Sequence, residues 1–358
     1  MTLDAALREA AADVVRRLAH RAGLTAFSGP VGTAPFRDPQ DVQHLLATAS
    51  AQEATVIRLL LAGEQLAATE VAEAIGDDAA DLLLQAGVLR TDGHDAVRST
   101  HLLVSCFNRH VLAAPPPGHP RFDPAGVPYC GPESLWFAQF LALRGPCRRG
   151  LDLCTGSGIL AMLPEAAEIT AVDIDAAALD VAAFNLALNQ RRNVVLRQGD
   201  LFAPVNDEKF DLVTANPPFL PGGPGPHLPA CGDGGRRGDA VLARILAEAA
   251  DHLAPGGEAL IYAEGFGDRA GPAVLADLPD MRLSPGHDYT FRIGGTRNAQ
   301  QAIFDLCRLW QSVGATEADA WAHWHDVAAT MPVSHYHHGI WRIAEGHGGV
   351  AVRRLRPG

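Results

Sequence analysis

Lysine is almost missing from the chain, since Lys209 is the only lysine among 29 basic residues. Asp and Glu together number 41, so the formal net charge is −12. A charge of this sign argues against general capture of nucleic acid by electrostatic attraction, although it leaves room for a local basic groove. We interpret the shortage of lysine as a bias towards GC-rich codons rather than as a feature of a site.

Paired cysteines and long apolar runs are also missing. The six cysteines include no Cys-x-x-Cys pair, which argues against a zinc ribbon or a disulfide scaffold. No stretch reaches the roughly 18 apolar residues of a membrane span, and the amphipathic N-terminal segment lacks the apolar run of a signal peptide. The sequence therefore predicts no membrane partner and a cytoplasmic location. It leaves the oligomeric state open.

Residues 1–113 are predicted to form a helical, winged-helix-like domain. Two short helices precede a hairpin that turns at Asp92 and Gly93, which is the element order of a winged helix-turn-helix. The second of these helices carries three aspartates and no basic residue, the wrong charge for a phosphate surface. A structural or substrate-covering role is therefore favoured over DNA reading. The predicted helices are Asp4–His20, Asp41–Ala47, Glu53–Ala62, Ala67–Ile75 and Asp77–Gly87.

A proline-rich linker at residues 114–127 separates this domain from residues 128–358, because proline does not fit inside helices or central strands. Beyond the linker, short apolar runs alternate with helical segments, which predicts an α/β fold with a Rossmann-like doubly wound sheet. Ligands bind such sheets at the carboxyl ends of the strands. The predicted strands are residues 150–154, 168–174, 193–199, 210–216 and 258–264, with helices at Ala176–Leu188 and Ala240–Leu253.

Residues suited to binding a nucleoside follow three of the predicted strands. The first strand ends in a turn where Gly156 and Gly158 let the backbone pass close to a ligand. Asp173 ends the second strand, where its carboxylate can accept hydrogen bonds from two ribose hydroxyls. After the third strand, Asp200 can accept from an adenine amine. The candidates are Asp152, Cys154, Thr155, Gly156, Gly158, Asp173, Ile174, Asp200, Leu201 and Asn216.

The fourth strand ends in Asn216-Pro217-Pro218-Phe219, the most specific motif of the sequence. This motif is similar to the Asn-Pro-Pro-Tyr/Phe motif of S-adenosylmethionine-dependent N-methyltransferases, and the resemblance implies transfer of a methyl group to a nitrogen. A conjugated nitrogen holds its lone pair in the π-system, whereas methyl transfer needs that lone pair free. The side-chain carbonyl of Asn216 and the backbone carbonyl of Pro217 can accept the two N–H protons and aim the lone pair at the methyl group. Phe219 can stack on a flat acceptor. Asn216, Pro217 and Phe219 are therefore the predicted catalytic residues.

Together these motifs resemble the class I S-adenosylmethionine-dependent methyltransferases over roughly residues 128–265. The nearer resemblance is to N-methyltransferases with an Asn-Pro-Pro-Tyr/Phe motif, which act on a glutamine of release factors or on exocyclic amines of nucleobases. The resemblance implies S-adenosyl-L-methionine as the cofactor. Residues 127–138 are similar to the segment that closes over the cofactor in this family. The residues expected to contact the acceptor are Tyr129, Glu133, Pro218 and Phe219.

One position departs from the family pattern. The family usually has glycine where Cys154 stands, so the first turn is bulkier in this chain. Cysteine is small, and we expect cofactor binding to persist. A nucleophilic role for Cys154 is disfavoured because no activating histidine is close in the sequence.

Residues 284–338 are predicted to be an insertion before a final hairpin at residues 339–355. Two helices are expected in it, Asn298–Val313 and Glu317–Thr330. Its histidines suggest a metal site, but no acid or cysteine accompanies them in a ligand pattern, so we expect no metal. The insertion is either a lid over the acceptor pocket or plain packing.

The preferred acceptor is a planar nitrogen of a small metabolite, an amine, amide or guanidine, including one of specialised metabolism. The acidic charge balance and the C-terminal insertion favour such an acceptor over RNA or DNA. An exocyclic amine of ribosomal RNA and a protein glutamine are the alternatives. Arg236 and Arg237 follow the motif and are equally suited to binding an anionic group of the acceptor and to solvated surface positions.

Overall fold

The computed structural model describes residues 3–24, 39–93, 95–115, 121, 130–222, 228 and 231–355. The N-terminal helices lie within a few residues of their predicted bounds. The exception is the predicted helix Glu53–Ala62, which divides into an α-helix and a π-helical turn at Ile57–Leu61. The α-helices are α1 (Ala5–Arg21), α2 (Pro39–Thr48), α3 (Ala51–Val56), α4 (Ala68–Ile75) and α5 (Asp77–Gln85).

The strands of the N-terminal part, one before α4 and four after α5, form two separate small sheets. Strands β1 (Leu66–Ala67), β2 (Leu89–Thr91) and β3 (Ala96–Ser99) pair in the order β1-β3-β2, so the predicted hairpin is present. A second hairpin, β4 (Leu102–Cys106) with β5 (Arg109–Ala113), occupies residues that the sequence analysis left within a helical domain. Its turn residues Phe107 and Asn108 have φ of 49° and 57°, as a tight two-residue turn requires.

The second part of the chain contains the predicted doubly wound sheet. Its parallel strands run in the order β10-β9-β6-β7-β8, so the chain starts in the middle and winds to both sides. Three α-helices, α6 (Pro132–Ala142), α7 (Ala176–Leu188) and α8 (Ala240–Glu248), belong to this part. The strands are β6 (Cys147–Leu153), β7 (Ala166–Asp173), β8 (Val194–Gln198), β9 (Phe210–Ala215) and β10 (Leu253–Gly267).

Three more strands extend the sheet beyond β10, and here the predicted final hairpin was wrong. Strand β12 (His335–Glu345) runs antiparallel to β10, and β11 (His287–Asn298) runs antiparallel to β12. The segment predicted as an insertion therefore begins with a long strand. The last strand, β13 (Val350–Arg354), pairs in parallel with β11. The predicted final hairpin does not exist, because β11 lies between β12 and β13.

The two helices predicted within the insertion are present as α9 (Ala299–Ser312) and α10 (Glu317–Ala328). They connect β11 to β12 and pack against each other around the buried Trp310 and Trp324. Leu228, which lies in the loop after the Asn-Pro-Pro-Phe motif, belongs to the same apolar cluster. The insertion is thereby anchored on the loop that follows β9.

The sheet has an apolar core on each face. Along β10, Leu260 and Tyr262 belong to the cluster beneath α6, whereas Ile261 belongs to the cluster on the opposite face. This alternation is what the two-residue period of a strand imposes when both faces are buried. In the described part of the chain, no helix combines the length and apolarity needed to cross a membrane.

The N-terminal part is held against the sheet through α7. Phe184 and Leu188 of that helix belong to the same buried cluster as α1. The fully buried Asn185 adds polar links, since its Nδ2 donates to the carbonyls of Leu112 and Ser157, each at 2.9 Å, and its Oδ1 accepts from the amide of Leu112 at 2.8 Å. One side chain thus ties β5 to the turn after β6.

Candidate active site

A cavity of about 460 Å³ opens at the carboxyl ends of the parallel strands. Such a volume lies within the range of roughly 300–1,000 Å³ that is usual for small-molecule sites. Eight of the ten predicted cofactor residues line it, and so do Glu133, Pro217, Pro218 and Phe219. Tyr129 lies outside the described residues. The cavity therefore gathers residues from four strand ends into one place.

The turn after β6 has a left-handed backbone at three positions, Cys154, Gly156 and Gly158, with φ of 53°, 52° and 79°. A residue with a Cβ is strained in this region, which accounts for the family's preference for glycine at the position of Cys154. Burial raises the pKa of the Cys154 thiol above its usual range. A raised pKa favours the protonated thiol near neutral pH, which disfavours a nucleophilic role for Cys154.

Asp152 and Gly158, two of the predicted cofactor residues, are not among the described residues that line the cavity. Asp152 is 1% exposed and accepts hydrogen bonds of 2.6 Å from the hydroxyls of Thr155 and Thr214. Burial raises its pKa to about 6. Gly158 lies against α7, where a Cβ would stand 3.2 Å from that of Ala182. Both residues therefore support the turn through contacts with the protein interior.

Asp173 lies at the end of β7 and lines the cavity. One of its carboxylate oxygens accepts from the amide of Gly156 at 2.8 Å, and the other accepts from the amide of Asp175 at 3.0 Å. Burial raises the pKa of Asp173. The next residue, Ile174, also lines the cavity and is 59% exposed, although it is a large apolar side chain. An exposed isoleucine beside an anchored carboxylate suits the flat base and the hydroxyls of a nucleoside.

Asp200 has a partner that the sequence analysis missed. Its carboxylate pairs with the guanidinium of Arg244 through contacts of 3.1 and 2.8 Å, and both residues line the cavity. The arginine comes from α8, which the sequence places far from β8. The neighbouring Leu201 has a left-handed φ of 49° and faces the same cavity. The predicted acid-and-apolar pair at this strand end is therefore present, with its acid held in an ion pair.

Asn216 has one satisfied and one unsatisfied side-chain atom. Its Nδ2 donates a 3.0 Å hydrogen bond to the hydroxyl oxygen of Ser134, whereas its buried Oδ1 has no partner among the described residues. Both residues line the cavity. A buried carbonyl without a donor costs free energy, and such groups in native structures call for an explanation such as an absent ligand. Ser134 was not singled out from the sequence.

Phe219 packs edge-on against the ring of Tyr262, with 6.1 Å between ring centroids. The hydroxyl of Tyr262 donates to Glu264, which also accepts from the hydroxyl of Tyr336 at 2.7 Å. These contacts place the ring of Phe219 on a framework that extends from β10 to β12. The predicted stacking surface for a flat acceptor is thus backed by aromatic side chains.

One wall of the cavity comes from the insertion. Leu309 of α9 and Val313, directly after that helix, line it together with Leu228. All three are apolar and line the same cavity as the motif at the end of β9. Of the two interpretations left open for the insertion, a lid that shapes the pocket is the one this arrangement supports. No sequence signal near the motif could have identified these residues.

Other residues considered from the sequence lie elsewhere. Arg236 pairs with Asp326 at 2.8 Å, Arg237 pairs with Asp239 and Asp277, and neither arginine is among the described residues lining the cavity. The solvated interpretation of the two arginines thus fits better than anion binding. Among the described side chains, no three His, Cys, Asp or Glu residues are grouped so as to hold a metal ion.

Residues 134–270 match the family model described as "Methyltransferase small domain". A ribosomal protein uL3 glutamine methyltransferase of Bradyrhizobium diazoefficiens is 42% identical over 150 residues, which cover 38% of this chain and 46% of that protein. A release factor glutamine methyltransferase of Xylella fastidiosa is 37% identical over 124 residues, covering 31% of this chain and 44% of that protein. The resemblance to methyltransferases is thereby confirmed over this stretch.

A solved structure, a SAM-dependent methyltransferase from Thiobacillus denitrificans in complex with S-adenosyl-L-homocysteine, is 18% identical with a TM-score of 0.32. The matched part covers 59% of this chain and 90% of that one. The chain spans less than half the length of each of these two glutamine methyltransferases. The matched stretch includes the motif at the end of β9.

Proposed function

We propose that the protein is an S-adenosylmethionine-dependent N-methyltransferase whose acceptor is the side-chain amide nitrogen of a glutamine in another protein. The observation that carries the proposal is the buried, unpartnered Oδ1 of Asn216 at the cavity. The sequence analysis preferred a small-metabolite acceptor and kept a protein glutamine as an alternative. The glutamine now replaces the small metabolite as the preferred acceptor. The reason is that both curated relatives reported above are named as glutamine methyltransferases.

The residues of the cavity fit S-adenosylmethionine. Asp173 offers carboxylate oxygens to ribose hydroxyls, Ile174 and Leu201 offer apolar contact to a base, and Asp200 accepts hydrogen bonds from an exocyclic amine. The left-handed turn at Cys154 and Gly156 brings backbone rather than side chain towards the ligand. When bound, the cofactor supplies an electrophilic methyl group on a sulfonium.

The chain's own contribution is to hold the acceptor nitrogen. A carboxamide nitrogen carries two N–H donors, and the Asn216 Oδ1 and the Pro217 carbonyl are two acceptors at one strand end. Ser134 fixes the Asn216 amide so that Nδ2 is occupied and Oδ1 is free to accept. Holding both protons in place pins the nitrogen and aims its lone pair, which lowers the entropic and electrostatic cost of transfer.

The charge and shape of the cavity support a neutral acceptor side chain. Its acidic lining includes Glu133, Asp173 and Asp233, while Arg244 is already paired with Asp200. Phosphate groups near such a lining are repelled, whereas an uncharged carboxamide is not. The aliphatic part of a glutamine side chain suits the apolar wall of Leu309 and Val313.

The test is transfer of a labelled methyl group from S-adenosylmethionine into a fractionated bacterial extract and into glutamine-containing peptides. We expect label in protein, at glutamine nitrogen, and loss of transfer by on the order of 10²–10³-fold in Asn216→Ala. Calorimetry with S-adenosylhomocysteine separates cofactor binding from transfer in that variant. Label confined to RNA or to small molecules contradicts the proposed acceptor, and transfer by Asn216→Ala at the wild-type rate contradicts the role of Asn216.

A further inference from the structure

Three arginines point to one face of the sheet beyond β10. Arg342 of β12 pairs with Leu260, and Arg292 of β11 pairs with Ile340, both partners belonging to the core beneath α6. Arg353 of β13 pairs directly with Arg292. Paired residues on neighbouring strands project to the same side, so all three arginines share the face on which α6 packs.

A fourth arginine, Arg144, joins them from the segment after α6. It pairs with Glu258, which is buried and also accepts from Nε of Arg342 at 2.6 Å. Burial and the charges of Arg342 and Arg292 lower the pKa of Arg144, as expected for crowded cations. One carboxylate thus serves two of the arginines. Arg292 and Arg353 are exposed and have no carboxylate partner among the described residues.

Helix α6 connects these arginines to the cavity. Glu133 and Ser134 in its first turn line the cavity, and Arg144 follows its other end. The ring of Trp136 packs against Gly294 of β11, where a Cβ added to the glycine would come within 2.3 Å of the ring. Gly294 is two residues from Arg292. At 1.5 Å per residue, α6 spans roughly 16 Å, a distance that a few extended residues of a peptide cover.

We propose that the arginine face, formed by Arg144, Arg292, Arg342 and Arg353, docks an acidic segment of the protein whose glutamine enters the cavity. The inference rests on the proposed glutamine acceptor. Guanidinium groups bind carboxylates through paired hydrogen bonds. The backbones of adjacent strands, which carry Arg292 and Arg353, lie about 4.8 Å apart. A carboxylate between them relieves their mutual repulsion. Docking at this face directs the substrate along α6 to the cavity.

The charge distribution favours a peptide over a nucleic acid. The whole chain carries −12, and acidic residues line the cavity. A nucleic acid strand would bring phosphates along its entire length past those acids. A polypeptide can carry its acidic residues in one short segment and a neutral glutamine in another. The local excess of positive charge at the arginine face matches such a segment.

The experiment measures binding by fluorescence anisotropy on the full chain. The probe is a labelled peptide with one glutamine and a separate run of glutamates, and its counterpart has serines in place of the glutamates. We expect the acidic peptide to bind more tightly, and the double variant Arg292→Gln/Arg353→Gln to lose about tenfold in affinity. The matched control is Arg354→Gln, since Arg354 pairs with Ile293 and projects to the opposite face.

The outcomes separate this inference from the proposed function. Equal affinity of the wild type for both peptides, or an unchanged affinity in the double variant, overturns the docking site. Tighter binding of a single-stranded oligoribonucleotide of equal charge, lost in the double variant, assigns the face to nucleic acid instead. Binding at the arginine face without methyl transfer to any peptide refutes the glutamine acceptor but leaves acidic docking in place.

Discussion

The hydroxyl oxygen of Ser134 accepts a 3.0 Å hydrogen bond from the side-chain amide of Asn216 and so joins the first turn of α6 to the end of β9. This contact decides which end of the amide is free. With Nδ2 engaged, the side chain presents its carbonyl rather than its amino group to an acceptor nitrogen. Ser134 thus positions Asn216.

Replacing Ser134 by alanine tests this dependence. We expect kcat to fall by roughly fivefold, since a single neutral hydrogen bond contributes about 1 kcal/mol, with an unchanged dissociation constant for S-adenosylhomocysteine. A double-mutant cycle with Asn216→Ala provides the control. If Ser134 acts only through Asn216, then Ser134→Ala has no further effect in the Asn216→Ala background. Equal losses in both backgrounds would refute the positioning role.

The buried Asp152 makes stability depend on pH. Its pKa in the folded protein is raised to about 6 from 3.8, so protonation stabilises the fold and this stability is lost as pH rises between those values. The free energy of unfolding changes by about 3 kcal/mol, since each pKa unit corresponds to about 1.36 kcal/mol. We expect Asp152→Asn to gain stability relative to the wild type as pH increases from 4 to 7, measured by urea denaturation. Asp305→Asn, at an exposed carboxylate, is the control.

Cys154 occupies a left-handed backbone position and therefore carries strain. Cys154→Gly and Cys154→Ala both remove the thiol, but only glycine removes the Cβ. We expect the glycine variant to be more stable than the alanine variant by about 1 kcal/mol in equilibrium unfolding. Both variants should retain methyl transfer, because the protonated thiol has no chemical role. An alanine variant more stable than the glycine variant would contradict backbone strain at this position. Loss of methyl transfer in both variants would contradict the prediction that the thiol has no chemical role.

Leu309 of α9 forms part of the cavity wall. Truncation in Leu309→Ala removes apolar contact with the bound molecule, and we expect KM for a glutamine peptide to rise about tenfold. Arg308→Ala, one residue earlier on the exposed side of α9, should leave KM unchanged. Steady-state kinetics at saturating cofactor measure both. An equal rise in KM for the two substitutions would mean that α9 affects the protein's stability and does not contact the acceptor as a wall of the cavity.

Residues whose position follows from local sequence were predictable. The glycine-rich turn, Asp173 and Asn216 each end a strand, and parallel strands bring their carboxyl ends together whatever the rest of the chain does. The orientation of Asp152, in contrast, does not follow from local sequence. It precedes the turn by only two residues, but its side chain points towards Thr214 of the neighbouring strand. A motif shows which residues are near a site and does not show where each side chain points.

Contacts between distant segments were beyond the sequence. The turn residues near Gly348 predicted a hairpin of β12 and β13, yet β13 pairs with β11, more than 50 residues away in the chain. Strand pairing depends on the competition between all available edges, which a single segment does not reveal. For the same reason Leu309 and Arg244 could not be assigned to the cavity.

The position of α9 in the chain has a consequence for biosynthesis. The Asn216 motif leaves the ribosome well before Leu309 and Val313, and the strand that closes the sheet beside β10 emerges later still. A nascent chain can therefore assemble the five parallel strands while one side of the pocket is still open. Closure of the acceptor side of the pocket becomes a late event, so full binding of the acceptor requires that synthesis has passed α9. A ligand that binds the closed pocket also stabilises the finished fold over its unfinished precursors.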